Sequence, residues 1–389
     1  MKIIAIETDP SSVLGGKHLS FFEVCRSLSG RGHNISVLYV NPGDLLPEYQ
    51  QFCSQVIRVK YHRIDKQKII SSGWNFLKSF GKVLAQIKPH RNEKPIIYID
   101  NYYCCFLALC LSKVLGVPAI FHIRLNLGTE VIFHQQDIWS IRQMTRFITI
   151  SQQTKEDWAT RFNLNLEKIK VIYNGTNLEL FQPSQQREVI QQKLQIEPGT
   201  KIISYVGRFD IQKGIETLLR GFALLNQQIA DPVVLLLVGK PMAFRTPEEG
   251  ANYQQLLQQL AIDLGIENQV RFLPYRPIAE TVSIYQVSDV TVLPSLYQEP
   301  FGRVIIESMA CGTPVVASRM GGIPEILTGE FASGLFQAGD HQDLADKLAY
   351  LLNWLEQDSQ LGIRCREFVQ SRFSLENTID EIEDFLSQE

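Results

Sequence analysis

The chain has 389 residues, of which 45% are hydrophobic and 20% charged, with a formal net charge of −3. One hydrophobic core stops growing near about 250–300 residues, so the length predicts two domains. The near-neutral balance excludes a nucleic-acid binder that works through bulk positive charge.

The N-terminus opens directly on a strand-like MKIIAIE. It lacks a charged region leading into an apolar run with a small-residue cleavage site, so no signal peptide is expected. Short apolar, β-branched runs then alternate with longer amphipathic ones. Strands are predicted at Lys2–Ile6, Ile35–Tyr39, Gln55–Val59, Ile96–Ile99, Ala119–His122, Phe147–Ile150 and Lys170–Ile172. The second half repeats the scheme at Lys201–Val206, Val233–Val238, Val270–Phe272, Val290–Leu293 and Val315–Ala317. Unbroken apolar runs such as VVLLLVG predict strands covered on both faces, as in parallel sheets. Strand–helix alternation then implies an α/β protein of two doubly wound, Rossmann-like domains facing across a cleft. The polar stretch NGTNLELFQPSQQ (174–186) marks the boundary. The reading is an N-terminal domain over 1–180, a C-terminal domain over 181–365, and a tail over 366–389 whose helix, Leu375–Leu386, crosses back to the first domain.

The run CCFLALCLSKVLG is too short for a bilayer span, which needs roughly 20 apolar residues. Seven cysteines with no zinc-type pairing read as reduced, mostly buried thiols of a cytoplasmic protein. Between 58 and 94 there are ten Lys/Arg against two acids, Asp65 and Glu93. Here Ile70, Trp74, Leu77, Leu84 and Ile87 form one helical stripe, with Lys78 and Lys82 elsewhere. Such a helix packs its stripe on the sheet, or residues 66–88 touch an anionic membrane peripherally.

In open parallel sheets, ligands sit beyond the carboxyl ends of strands, so the loops after the strands carry the candidate chemistry. One such stretch is QEPFGRVIIESMACGTPVVAS (298–318), with Glu299 and Glu307 eight positions apart. On one continuous helix those side chains would diverge by about 80° and about 12 Å. Pro300 and Gly302 instead place Glu299 outside a helix that starts near Gly302 or Arg303, with Glu307 about one turn in. The amides of Phe301, Gly302, Arg303 and Val304 then face a ligand at a helix N-terminus, and Gly302 lets it come close to the backbone. Carboxylates on either side suit a ligand with hydroxyls next to phosphates, which describes a nucleotide-sugar. A second stretch, SYVGRFDIQKGIETLL (204–219), carries Arg208 and Lys213 between a strand end and a helix, two cations that fit a diphosphate.

VGRFDIQKG, LPSLYQEPFGRVIIESMACGTPVVAS and GGIPEIL together resemble the retaining family-4 (group 1, glycogen-synthase-like) glycosyltransferases of GT-B fold, as do GGKHLSFFEVCRSLSGRGHNISVL (15–38) and VIYNGTNLELFQP (171–183). The resemblance covers essentially the whole chain. It implies that Arg208 and Lys213 hold the donor diphosphate, that Glu307 binds the ribose, and that Glu299 sits by the transferred sugar. The amides near Phe301–Val304 complete the cradle. Gly15 and Gly16 would approach the donor phosphate or the acceptor, and His122, ending PAIFH, would lie near the anomeric centre. The following IRLNLGTE departs from the family's usual sequence, so Arg124 receives no role. Pro274 stands where the family often has glycine near the base and offers no N–H there, which leaves the base unassigned.

The implied reaction transfers a sugar from a nucleoside-diphosphate sugar to an acceptor hydroxyl with retention, and neither cofactor nor metal is expected. No Asp-x-Asp metal site follows a strand, and Arg and Lys supply the charge neutralisation. The rival readings are a nucleotide-sugar 2-epimerase on the same architecture and a non-catalytic nucleotide-binding partner subunit. The Arg208/Lys213 loop combined with the Glu299/Glu307 spacing favours transfer.

Overall fold

The structure is a computed structural model that describes residues 1–12, 16–87, 94–128, 133–241 and 247–388, with backbone alone for 247–251. The chain divides into two compact units: Met1–Asn174 with Thr378–Glu389, and Gly175–Asn377.

The first unit holds β1 (Lys2–Glu7), β2 (Asn34–Tyr39), β3 (Gln55–Arg58), β4 (Ile96–Ile99), β5 (Ala119–Ile123), β6 (Arg146–Thr149) and β7 (Ile169–Val171). They form one parallel sheet in the order β3-β2-β1-β4-β5-β6-β7. The second unit holds β8 (Lys201–Val206), β9 (Val233–Val238), β10 (Val270–Leu273), β11 (Val290–Leu293), β12 (Val315–Ser318) and β13 (Leu335–Phe336). Its parallel order is β10-β9-β8-β11-β12-β13. In both sheets the order reverses beside the first strand, between β1 and β4 and between β8 and β11, the switch point where such folds bind ligands.

The apolar run of β9 shows why these strands need no polar face. Val233, Leu235 and Leu237 pack into one core with Ile203, Tyr205 and Phe222. Val234, Leu236 and Val238 pack into another with Ile202, Ile284 and Val287. Each alternate residue thus meets a helix layer, and an exposed face never arises.

The last helix, Leu375–Ser387, buries Ile379, Ile382, Phe385 and Leu386. From Thr378 onward it belongs to the first unit. There Arg31 meets Asp380 and Glu383 at 2.6 and 2.8 Å, and the Arg146 guanidinium lies 4.6 Å from the Phe385 ring centre.

The Ile69–Ile87 helix departs from the predicted stripe. Its buried side is Phe76, Ser79, Val83 and Ile87, with Phe80 and Leu84 partly buried against the same core. Ile70, Trp74 and Leu77, expected beside Leu84 and Ile87, point to solvent instead. The apolar arc of this helix is wider than one sheet contact can cover, so only half of it enters the core.

All seven cysteines are free thiols, five buried and two, Cys53 and Cys110, half-buried. Burial pushes Cys53 and Cys311 up to about 12 and Cys110 up to about 11. It raises Cys25, Cys104, Cys105 and Cys365 as well.

Candidate active site

The second unit assembles its candidate residues at the carboxyl ends of β8, β11 and β12. After β8 the chain passes Gly207 and Arg208 into a short 3-10 turn, Ile211–Lys213. Asp210 caps that turn by accepting the amide of Gln212 at 2.8 Å. The Tyr205 hydroxyl donates to the Arg208 carbonyl at 2.6 Å, and the Arg208 guanidinium, a third exposed, lies 3.9 Å from Asp210. The turn itself is not buried, but hydrogen bonds from Tyr205 and to Asp210 anchor the loop that carries it.

Gly214 ends the turn and caps the Ile215–Gln228 helix with φ +67°. It lies against the loop after β11, where a Cβ would stand 2.0 Å from the Pro294 carbonyl oxygen. Beside it the Leu296 amide donates to the Gln212 carbonyl at 2.8 Å. These contacts bring Lys213 onto the loop that carries Glu299. The Lys213 Nζ donates to both carboxylate oxygens of Glu299 at 2.8 and 3.2 Å and to the Tyr297 hydroxyl at 3.1 Å. It also lies 4.8 Å from the Tyr297 ring centre. Burial and the Glu299 carboxylate hold the Tyr297 phenol well above its ordinary value, so it stays neutral.

The helix after Glu299 runs Arg303–Ala310, with Gly302 as N-cap at φ +105°. That angle strains any side-chain-bearing residue, which gives Gly302 a backbone reason as well as a ligand reason. The Glu299 carbonyl accepts the Gly322 amide at 2.8 Å, tying the loop to the one after β12. The Phe301 ring is buried edge-on against Phe373, so this residue can meet a ligand only through its backbone. Arg303 and Val304 are half-buried in the first turn. Glu307, one turn in, accepts the Tyr285 hydroxyl at 3.0 Å and the Arg303 Nε at 3.3 Å.

The remaining predicted residues belong to the first unit. Gly16 opens the Gly16–Gly30 helix after β1, and Gly15 lies outside the described residues. His122 is buried within β5. Its Nδ1 is 2.5 Å from the Tyr98 hydroxyl and 3.1 Å from Arg124 Nη2. Both neighbours are donors, which assigns the imidazole proton to Nε2, an atom with no protein partner among the described residues. Burial, then Arg124, holds the His122 pKa well below its usual value. The ring is thus a neutral donor rather than a proton shuttle at neutral pH. Arg124, which received no role from the sequence, orients it and also binds Ser20 and Asn174.

Sequence reasoning also missed the tyrosines Tyr205, Tyr285 and Tyr297. Only Tyr297 carried a signal, since it stands two residues before Glu299.

At the end of β1 a further polar cluster forms. Glu7 accepts the Tyr49 hydroxyl at 2.7 Å and contacts His18 Nδ1 at 3.2 Å. Burial pushes the Glu7 carboxyl from 4.5 to about 7, helped by the nearby Asp100 and opposed by the His18 contact. Between those two values the folded chain keeps a proton that the unfolded chain has released. Stability from this group therefore falls as pH rises through that window, by about 3 kcal/mol in total. Glu7→Gln is expected to flatten the decline of unfolding free energy between pH 5 and pH 8. Urea titrations at several pH values measure it, and parallel curves for the two proteins would remove Glu7 as the cause.

Among the described residues no group of three His, Cys, Asp or Glu is placed to hold a metal ion, and no helix is long and apolar enough to cross a membrane.

Residues 186–368 match the family described as Glycosyl transferases group 1, and residues 14–180 match Glycosyltransferase Family 4. A D-inositol 3-phosphate glycosyltransferase of Corynebacterium diphtheriae is 36% identical over 391 residues, covering 94% of this chain and 89% of that one. The protein of the same name from Corynebacterium urealyticum is 38% identical over 222 residues, and that match spans 55% of this chain and 50% of the relative. Among solved structures, Anabaena Alr3699/HepE in complex with UDP and glucose superposes with a TM-score of 0.81 at 22% identity, covering 100% of this chain and 99% of that one. At that identity the likeness shows a shared fold, the GT-B fold of two Rossmann-like domains.

Proposed function

The chain belongs to the group 1, family 4 glycosyltransferases, and from that premise we propose that it is a retaining, metal-independent enzyme acting on a nucleoside-diphosphate sugar. The observation that carries this is the Lys213–Glu299 contact at 2.8 Å, made at the mouth of the Arg303–Ala310 helix and one loop from Arg208. Fixed cations and first-turn amides suit the two phosphates, while Glu299 and Glu307 offer acceptors to hydroxyls on the attached rings.

The step breaks the bond from the anomeric carbon to the phosphate oxygen and forms one to the acceptor oxygen on the same face. The acceptor proton leaves with the departing phosphate oxygen. Negative charge grows on the diphosphate as the bond breaks, and Arg208 with Lys213 stabilises it there, in place before the reaction starts. Retaining glycosidases use two carboxyl groups about 5–5.5 Å apart, and a covalent route here would need at least one carboxylate free to attack the anomeric carbon. Here Glu299 is held through both oxygens by Lys213 and Glu307 is held by Tyr285 and Arg303, which supports same-face attack over a Glu nucleophile. His122, as a neutral Nε2 donor, suits a sugar hydroxyl.

The UDP in the HepE structure makes UDP-sugars the first donors to try, and the relatives' name makes a phosphorylated polyol the first acceptor. Incubation with UDP-, GDP- and ADP-sugars in the presence of a chelator is expected to release nucleoside diphosphate and give a product of unchanged anomeric configuration by NMR. Release abolished by the chelator, or inverted product, would overturn the mechanism. An epimerised donor with no release would favour the 2-epimerase.

A further inference from the structure

We infer that the first unit docks on an anionic lipid surface through the outer face of the Ile69–Ile87 helix. Four large apolar side chains stand clear of the protein there. Ile69, Ile70, Trp74 and Leu77 are 64%, 90%, 60% and 59% exposed. The opposite side of the same helix is already spent on the core through Phe76, Val83 and Ile87. The exposed group is therefore the uncovered half of one wide apolar arc, whose other half is already used by the core. At 100° per residue, Ile70, Trp74 and Leu77 fall within about 60° of one another, a compact ridge along one side.

The charge around this ridge has one sign. From 58 to 87 the chain carries seven Lys/Arg and one acid, Asp65. The Asp65 carboxylate is occupied as the cap of the turn before the helix, accepting the Gln67 amide at 2.9 Å. Lys66 and Lys68 sit in that turn, and Lys78 and Lys82 flank the ridge, all four exposed. The Lys78 Nζ lies 5.4 Å from the Trp74 ring centre, so apolar ridge and cation are one surface. His62 is kept neutral by burial and by Arg63, which lower its pKa to about 4, and so adds no titrating charge near pH 7.

Charge chooses the occupant. A second copy set face to face would press these lysines against themselves, and like charges across an interface oppose association. A bilayer of anionic lipid answers both features. Ile, Leu and Trp enter the headgroup boundary, where Trp is favoured, and the lysines extend their stems along the ridge toward phosphates. Lys88, at the end of the segment marked by the sequence, lies outside the described residues.

The test is sedimentation of the full chain with vesicles of phosphatidylcholine, with and without phosphatidylglycerol. Binding is expected only with phosphatidylglycerol, strong at about 0.01 M salt and lost near 1 M, where the screening length is about 3 Å. Ile70→Glu/Leu77→Glu is expected to lower the bound fraction at least about tenfold, and Lys66→Gln/Lys68→Gln/Lys78→Gln to do the same. None of these positions touches the donor residues, so release of nucleoside diphosphate in solution stays unchanged in all variants. Failure of the transferase reading would leave the vesicle result standing. No sedimentation at low salt, equal binding by the variants, or a concentration-dependent dimer abolished by Ile70→Glu/Leu77→Glu would each overturn the inference.

Discussion

Replacing Lys213 with alanine is expected to lower kcat for sugar transfer by about 10²–10³-fold, the scale for removing one preorganised charge donor from a leaving group. The side chain meets two needs at once. With ligand bound it faces the charge that grows on the diphosphate. Without ligand it neutralises Glu299, which is only 7% exposed. Alanine leaves that carboxylate desolvated with its cation gone, and breaking such a pair costs about 3 kcal/mol. Activity loss could then be mistaken for unfolding. Lys213→Ala/Glu299→Gln separates the two, because the amide removes the stranded charge. The double variant is expected to recover much of the stability, read by urea unfolding, while turnover stays at or below the single-variant level. A Lys213→Ala enzyme with near-normal kcat would end the diphosphate role.

Gly214→Ala is expected to cost about 2–5 kcal/mol and to abolish most activity. Two terms add. The residue holds φ +67°, which costs a side-chain-bearing residue about 1–2 kcal/mol. The new Cβ would also stand 2.0 Å from the Pro294 carbonyl oxygen, a backbone atom that cannot swing away, and overpacking of this sort costs about 1–3 kcal/mol. Relief requires the loops after β8 and β11 to part, and those loops carry Lys213 and Glu299. Gly116→Ala isolates the first term: φ is +70° there, but nothing lies within 4 Å of the added carbon. It is expected to lose about 1–2 kcal/mol and no activity. Equal thermal shifts for the two variants would show that the loop contact is not what Gly214 protects.

Much of this architecture is readable in the sequence because parallel α/β strands are buried on both faces and announce themselves as unbroken apolar runs, as in β9. β13 escaped notice: two residues, Leu335 and Phe336, carry no period. The start of the Arg303–Ala310 helix is legible from Pro300 and Gly302, since proline fixes its own φ and glycine alone readily takes the positive φ found at this cap. Partners set by folding are not. Tyr285 meets Glu307 across 22 positions of sequence, and nothing in either neighbourhood advertises the other. The Ile69–Ile87 helix shows the same boundary differently. Periodicity located an apolar arc, but which half faces the sheet is decided by Phe76 and Val83 fitting against the first-unit core.

The sulfur chemistry of the chain has a practical side. With every native thiol held protonated by burial, alkylating dyes meet almost no thiolate at neutral pH. A cysteine introduced on the solvent-facing ridge would stand out against that silent background. A single fluorophore or spin label could therefore report immersion depth in a bilayer without first stripping the protein of its own sulfur.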